Sequence, residues 1–304
     1  MRVVAPASPF DPVRLECGLE VLRTRLGLVP RFRSDLGARA GYLAGDDARR
    51  AEEWREAVAD PDARAIFCAR GGYGSMRILP AIDPAPLLAR PKLVVGFSDV
   101  TAIHAVLNRA GLATVHGPVV TQLGASPDDA VAHLWALLSG RAPRPNAWDA
   151  PPPGAGVTGT GVVRAGRVSG PLVGGSLALL SHLCGTPFLP PLDGAILLVE
   201  DVGEKPYRID RYLTQLRLAG ALDRVAAVAV GQLSGCDDEQ VRAADVVREA
   251  VRALGLPAIE GLPCGHEDRN LAVPLGARAT LVAPGPGEEG PPRLLFEEGA
   301  TAPP

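Results

Sequence analysis

Aromatic side chains are scarce, at 4% of 304 residues, so core volume has to come mainly from Leu, Val, Ile and Ala. No uninterrupted apolar stretch approaches the roughly 20 residues that cross a bilayer, so no membrane partner is expected. The opening Met1-Arg2-Val3-Val4-Ala5-Pro6 has one basic residue and lacks an apolar region of about 7–15 residues, so no secretory signal is expected there. A surplus of positive charge is missing too. The formal charge of -3 argues against nucleic acid as the main partner, because phosphate neutralisation needs a basic surface. The five cysteines, at 17, 68, 184, 236 and 264, include no C-x-x-C pair. Such an odd, scattered set suits reduced thiols in a cytoplasm and not a disulfide framework. There is no H-E-x-x-H, and the pairs His182/Cys184 and Cys264/His266 match no common zinc spacing, so neither metal nor other cofactor is expected.

What is present suits a soluble globular protein: 47% hydrophobic and 21% charged residues, enough to bury a substantial core. The length exceeds the usual single domain, so two domains are expected. Val3-Val4-Ala5, Ala65 to Ala69 and Lys92 to Phe97 read as short strands. Pro12 to Leu26, Asp46 to Ala59 and Asp99 to about Arg109 read as helices. This alternation with short connections implies an α/β fold, with a mostly parallel N-terminal sheet flanked by helices over residues 1–140. In such sheets ligands bind beyond the carboxyl ends of the strands. Residues 141–166 carry five prolines and then a run of glycines, and read as a linker leading into a short strand near Gly161. A C-terminal domain follows over 167–304. Within it Ala195 to Glu200 and Val225 to Val230 are strand candidates, separated by a helix from about Ile209 to Ala219, and 284–292 reads as a mobile loop.

Ser98 lies where an apolar strand turns directly into a helix, in Gly96-Phe97-Ser98-Asp99-Val100-Thr101. A serine on so sharp a turn can project its hydroxyl above the sheet and leave the next N–H free to stabilise an oxyanion. It could equally be an ordinary helix N-cap, and Val100 stands where the elbow pattern places its second glycine. A serine nucleophile needs a base, and the base an orienting group. Of the five histidines, His104 lies inside the helix that Ser98 begins, His133 sits in an amphipathic stretch, and His116 and His182 read as satisfied core residues. His266 stands in the polar loop Cys264-Gly265-His266-Glu267-Asp268-Arg269-Asn270, as a presented base or as a loop histidine bonded to backbone. Glu200 ends an apolar strand, where a carboxylate must be paired or held for a purpose, and Arg208 or Arg211 could supply a plain ion pair. Gly71-Gly72-Tyr73-Gly74 is either an anion-binding nest or a tight turn.

Taken in order, these segments resemble the serine LD-carboxypeptidase family, which also contains the microcin C self-immunity peptidases. The resemblance runs along nearly the whole chain. It rests on Val4-Ala5-Pro6-Ala7-Ser8, Ala69-Arg70-Gly71-Gly72-Tyr73-Gly74, Gly96-Phe97-Ser98-Asp99-Val100-Thr101 and Gly174-Gly175-Ser176-Leu177-Ala178. It continues through Leu198-Val199-Glu200-Asp201, Pro206-Tyr207-Arg208-Ile209-Asp210-Arg211 and Gly265-His266-Glu267-Asp268-Arg269. It implies a Ser98–Glu200–His266 triad, with an oxyanion hole from the N–H groups of Asp99 and Gly72. It also implies a β-rich α+β C-terminal domain, a homodimer, and release of the terminal D-alanine from muropeptide tetrapeptides in the cytoplasm. Phe97 departs from the family's more polar neighbour of the serine and alters the pocket wall, while Cys264 has no catalytic part. An exopeptidase must also hold a free carboxylate, for which Arg70 and Arg269 flank the site loops. The rival readings are a microcin C-type peptidase acting on peptidyl or aminoacyl nucleotides, a non-catalytic ligand-binding module and a metallohydrolase.

Overall fold

The computed structural model describes residues 1–139 and 156–297. Its strands are β1 (Arg2–Val4), β2 (Ala65–Cys68), β3 (Leu93–Gly96), β4 (Thr114–His116), β5 (Gly156–Thr158), β6 (Gly161–Arg164), β7 (Gly166–Ser176), β8 (Ile196–Val202), β9 (Ala227–Ser234), β10 (Ala258–Glu260), β11 (Val273–Leu275), β12 (Arg278–Ala283) and β13 (Arg293–Phe296). The fold is mixed α/β, built on a five-stranded and an eight-stranded sheet.

The first sheet has the order β1-β2-β3-β4-β11. Its first four strands run parallel, with Val3 opposite Phe67, Phe67 opposite Val95 and Val95 opposite Val115. Parallel strands covered on both faces are continuously apolar, and every residue of β2 is buried. The expected helices form where their caps allow. Asp11 accepts from Val13 N and Arg14 N to start Pro12–Thr24, and Asp46 accepts from Arg49 N to start Asp47–Ala59. The expected helix after Ser98 begins as a 3₁₀ turn, Ser98–Val100, before Thr101–Arg109. The fifth strand, β11, comes from the far end of the sequence and pairs antiparallel with β4.

The second sheet has the order β5-β13-β12-β7-β8-β9-β10-β6. From β7 through β10 its pairings are parallel, and the outer ones are antiparallel. Most of the expected linker, 140–155, lies outside the described residues, and 156–166 supplies strand instead: β5, β6 and the start of β7. Only Gly159 and Thr160 separate β5 from β6, yet the two strands occupy opposite edges. The sheet is therefore rolled until its edges nearly meet, closed by Gly159 N to Pro292 O and Thr160 N to Glu260 O, both 2.9 Å. One buried cluster runs from Val3 and Phe67 of the first sheet to Leu198 and Leu281 of the second, joining them without a solvent layer.

Candidate active site

The loops that matter all lie beyond the carboxyl ends of parallel strands, where an open α/β sheet binds its ligands. β3, the central strand of its sheet, runs into Ser98, whose φ of +63° is the one positive value outside glycine among the described residues. A left-handed backbone costs a side chain about 1–2 kcal/mol and persists only where its surroundings enforce it. Here Asp99 is buried behind the serine and its carboxylate accepts from Ser75 N at 2.7 Å. An N-cap residue keeps an extended backbone, so the helix-cap reading of Ser98 fails. The residue is half-buried.

β2 ends in the glycine loop, which packs directly on this turn. A Cβ placed on Gly71 would lie 2.9 Å from Ser98 Cβ and 3.3 Å from Asp99 N. Gly72 adopts φ +106°, open to glycine almost alone, and a Cβ there would meet Ser8 Oγ at 2.5 Å. Three clasps hold the loop. Ser8 accepts from Tyr73 N at 3.0 Å, buried Arg50 donates to Gly74 O at 2.8 Å and to Pro6 O, and Asp99 holds Ser75. The loop is thereby held with Gly71 against the Ser98 side chain and the backbone N of Asp99.

Glu200 arrives from the second sheet. Val199 pairs with Val230 but Asp201 with Leu233, so Gly231 and Gln232 of β9 face the single residue Glu200. Such a bulge re-aims side chains and frees backbone groups. Gln232 N accordingly donates to Cys264 O at 2.9 Å, fastening the histidine loop over Glu200. Gln232 Oε1 accepts from Glu267 N, Gln122 Nε2 donates to Glu267 O, and Asn270 Oδ1 accepts from Gly265 N. The outcome is a 2.8 Å hydrogen bond between His266 Nδ1 and Glu200 Oε2. Burial on its own would raise the Glu200 carboxyl, but the His116 imidazole close by and the hydrogen bond with His266 outweigh it and bring the group down to about 2. The Phe97 ring, next to the serine, meets the His266 ring edge-on at 4.7 Å between centroids. The imidazole thus lies beside the Ser98 turn with its Nδ1 occupied.

Glu200 takes no salt bridge from either arginine considered for it. Arg208 pairs with Glu204, and Arg211 lies over the Tyr207 ring. His104 and His133 bond the backbone at Gly96 O and Ala272 O, and His182 meets Tyr212 edge-on. The expectation of a satisfied core histidine fails for His116. It is fully buried, neither ring nitrogen is hydrogen-bonded, and its Nε2 lies 3.6 Å from Glu200 Oε1. Nothing in the local sequence signals it, since it is one more buried residue at the end of a short strand. Arg70 is exposed on the rim of the glycine loop and donates to Pro9 O, while Arg269 forms an ion pair with Asp129 at 2.8 Å. Cys264 is buried, which pushes its thiol far up and leaves it inert. Among the described residues no group of three or more His, Cys, Asp or Glu could hold a metal ion.

A strained serine beside a carboxylate-held imidazole and a glycine nest defines the class to be tested as a serine hydrolase. Family models sharpen this. That of the LD-carboxypeptidase N-terminal domain matches residues 1–117, and that of the LD-carboxypeptidase C-terminal domain matches 169–281. The chain belongs to the LD-carboxypeptidase family, and its relatives support a peptidase. It is 34% identical to the murein tetrapeptide carboxypeptidase of Pseudomonas aeruginosa, over 92% of this chain and 92% of that one. With the microcin C7 self-immunity protein of Escherichia coli it shares 28% identity over 91% of this chain and 88% of that one. The crystal structure of muramoyltetrapeptide carboxypeptidase from Oxalobacter formigenes superposes with a TM-score of 0.83 at 28% identity, covering 98% of this chain and 100% of that one.

Proposed function

We propose that the chain is a serine carboxypeptidase that cuts the L–D peptide bond of murein tetrapeptides, releasing the terminal D-alanine during recycling of peptidoglycan fragments. The observation that carries this reading is the Glu200–His266 hydrogen bond beside the strained Ser98 turn. His266 takes the Ser98 proton as Oγ attacks the scissile carbonyl. Glu200 on Nδ1 fixes the tautomer that leaves Nε2 as the base, and it stabilises the charged imidazole. The N–H groups of Gly72 and Asp99 receive the oxyanion, His266 protonates the departing D-alanine amine, and water then hydrolyses the acyl-enzyme. Arg70 is better placed than Arg269 to hold the terminal carboxylate, because Arg269 already spends its charge on Asp129. The free state of all five cysteines suits the cytoplasm, and a homodimer follows from the family resemblance.

The test is incubation with a muramyl tetrapeptide and assay of free D-alanine. Wild type should release it, and Ser98→Ala should lower kcat by about 10⁴ or more without loss of fold. Binding without turnover would sink the reading. A second substrate class is supported by the Escherichia coli relative and by the exposed Tyr42–Tyr73 pair, whose rings meet edge-on at 5.5 Å and border the glycine loop. Such a pair could stack on a nucleobase. An aminoacyl sulfamoyl adenosine hydrolysed faster than the tetrapeptide would favour it.

A further inference from the structure

His116 closes β4, where its backbone pairs with Gly96 of β3 on one side and Val273 of β11 on the other. It therefore stands between the strand that runs into Ser98 and the strand that follows the His266 loop. A buried polar group without a partner costs about 1–3 kcal/mol, and native structures keep few of them. Here three lie together: both ring nitrogens of His116, and Glu200 Oε1 at 3.6 Å from His116 Nε2. The other oxygen, Oε2, is held by His266. The carboxylate thus has an imidazole facing each oxygen, one contact made and the other slightly longer than a hydrogen bond. The Phe97 ring is edge-on to both imidazoles, at 5.7 Å and 4.7 Å.

We propose that His116 is a positioning residue whose Nε2–H donates to Glu200 Oε1, fixing the carboxylate and sharing its charge with His266. The inference rests on the reading of Ser98, Glu200 and His266 as the reacting set. The terminal torsion of a glutamate is soft, and a donor on each oxygen removes that freedom. A carboxylate drained of charge by a second donor also stabilises the protonated form of His266 less, so more of the imidazole is free to accept the Ser98 proton. The groups that face Glu200 are His116 from β4, His266 and Cys264 from the loop, and Asp201 beside it on β8. His116 faces Glu200 and His104, and His104 is buried and neutral.

A fluorophosphonate probe tests this without depending on the natural substrate, because Ser98 Oγ attacks phosphorus and fluoride leaves only when the base accepts the proton. Labelling rates of wild type, His116→Gln and His116→Leu are followed from about pH 5 to 9. In His116→Leu the acid limb should move up by about one unit, which is a roughly tenfold lower rate on the acid side and little change on the alkaline side. His116→Gln, which can still present an N–H to Oε1, should restore most of the wild-type profile. A loss by the same factor at every pH, or no loss, overturns the proposal. Should His116→Leu fail to fold, His116→Asn, too short to reach Oε1, serves in its place with the same expectations. The two readings fail separately. Labelling that survives Ser98→Ala refutes the triad, whereas labelling that vanishes there with an unmoved limb in the His116 variants refutes the positioning role alone.

Discussion

Ser98 holds a left-handed backbone at the position where the chain also needs a side chain, so the hydroxyl is presented at a cost in stability. Ser98→Ala keeps that cost, and Ser98→Gly releases it. Denaturant unfolding should find Ser98→Gly more stable than Ser98→Ala by about 1 kcal/mol, although both lack activity. Equal stabilities would mean the turn is not strained. Glu200 gives a second expectation at this scale. Its folded carboxyl, near 2, lies below the ordinary 4.5, so the ionised group contributes its full stability above about pH 4.5 and loses it as pH falls toward 2. The stability gap between wild type and Glu200→Gln should be widest at neutral pH and close through that window, as urea titrations at stepped pH would show. The sequence marks Ser98 at the end of an apolar strand, Glu200 behind an apolar run and His266 in a polar, glycine-bearing loop, and the family resemblance joins them into one set. It does not mark His116. Its partner Glu200 is on another sheet, and a single buried histidine looks the same whether it faces a carbonyl or a carboxylate.

Two short segments decide whether those residues meet. The glycine loop needs a bare Cα at Gly71, because a methyl there would lie 3.1 Å from Ser98 Oγ. Gly71→Ala should therefore cut kcat at least tenfold, toward the 10²–10³ range of a lost oxyanion donor, on the order of 3 kcal/mol, with a smaller change in melting temperature. The histidine loop depends on Asn270, fully buried, which accepts from Gly265 N and donates to Gln122 Oε1 at 3.2 Å. Asn270→Ala should cost about 1–3 kcal/mol of stability and lower kcat more than it raises KM, since the substrate contacts remain and the base is loosened. A change confined to KM would place Asn270 against substrate instead. The glycine loop was readable in the sequence as a nest or a turn. The bulge that fastens the histidine loop was not, because its cause is a register shift between β8 and β9. The same limit applies to Arg269, whose partner Asp129 lies on a helix of the other half of the chain.

At the scale of the molecule, the sequence suggests two consecutive units, but the chain threads them together. β11 leaves the second half to complete the first sheet, and Asn108 Nδ2 reaches across to Leu275 O at 3.3 Å. Thr101 Oγ1, on the helix behind Ser98, accepts from Ser176 N at 3.1 Å. Leu271, Val273 and Leu275 are buried in the cluster that contains Phe67 and Val95, so the first sheet lacks part of its core until the end of the sequence arrives. Unfolding should then be one cooperative transition, with near-ultraviolet dichroism and denaturant curves coincident. A fragment ending at residue 139 should fail to give native-like dichroism or dispersed amide resonances, because it bares the edge of β4 and the apolar surface that β11 covers. Adding a synthetic peptide spanning 268–277 tests the cause. If the strand is what the fragment lacks, the peptide should raise its order measurably, whereas a fragment that folds fully without it would show that the first sheet is an independent unit.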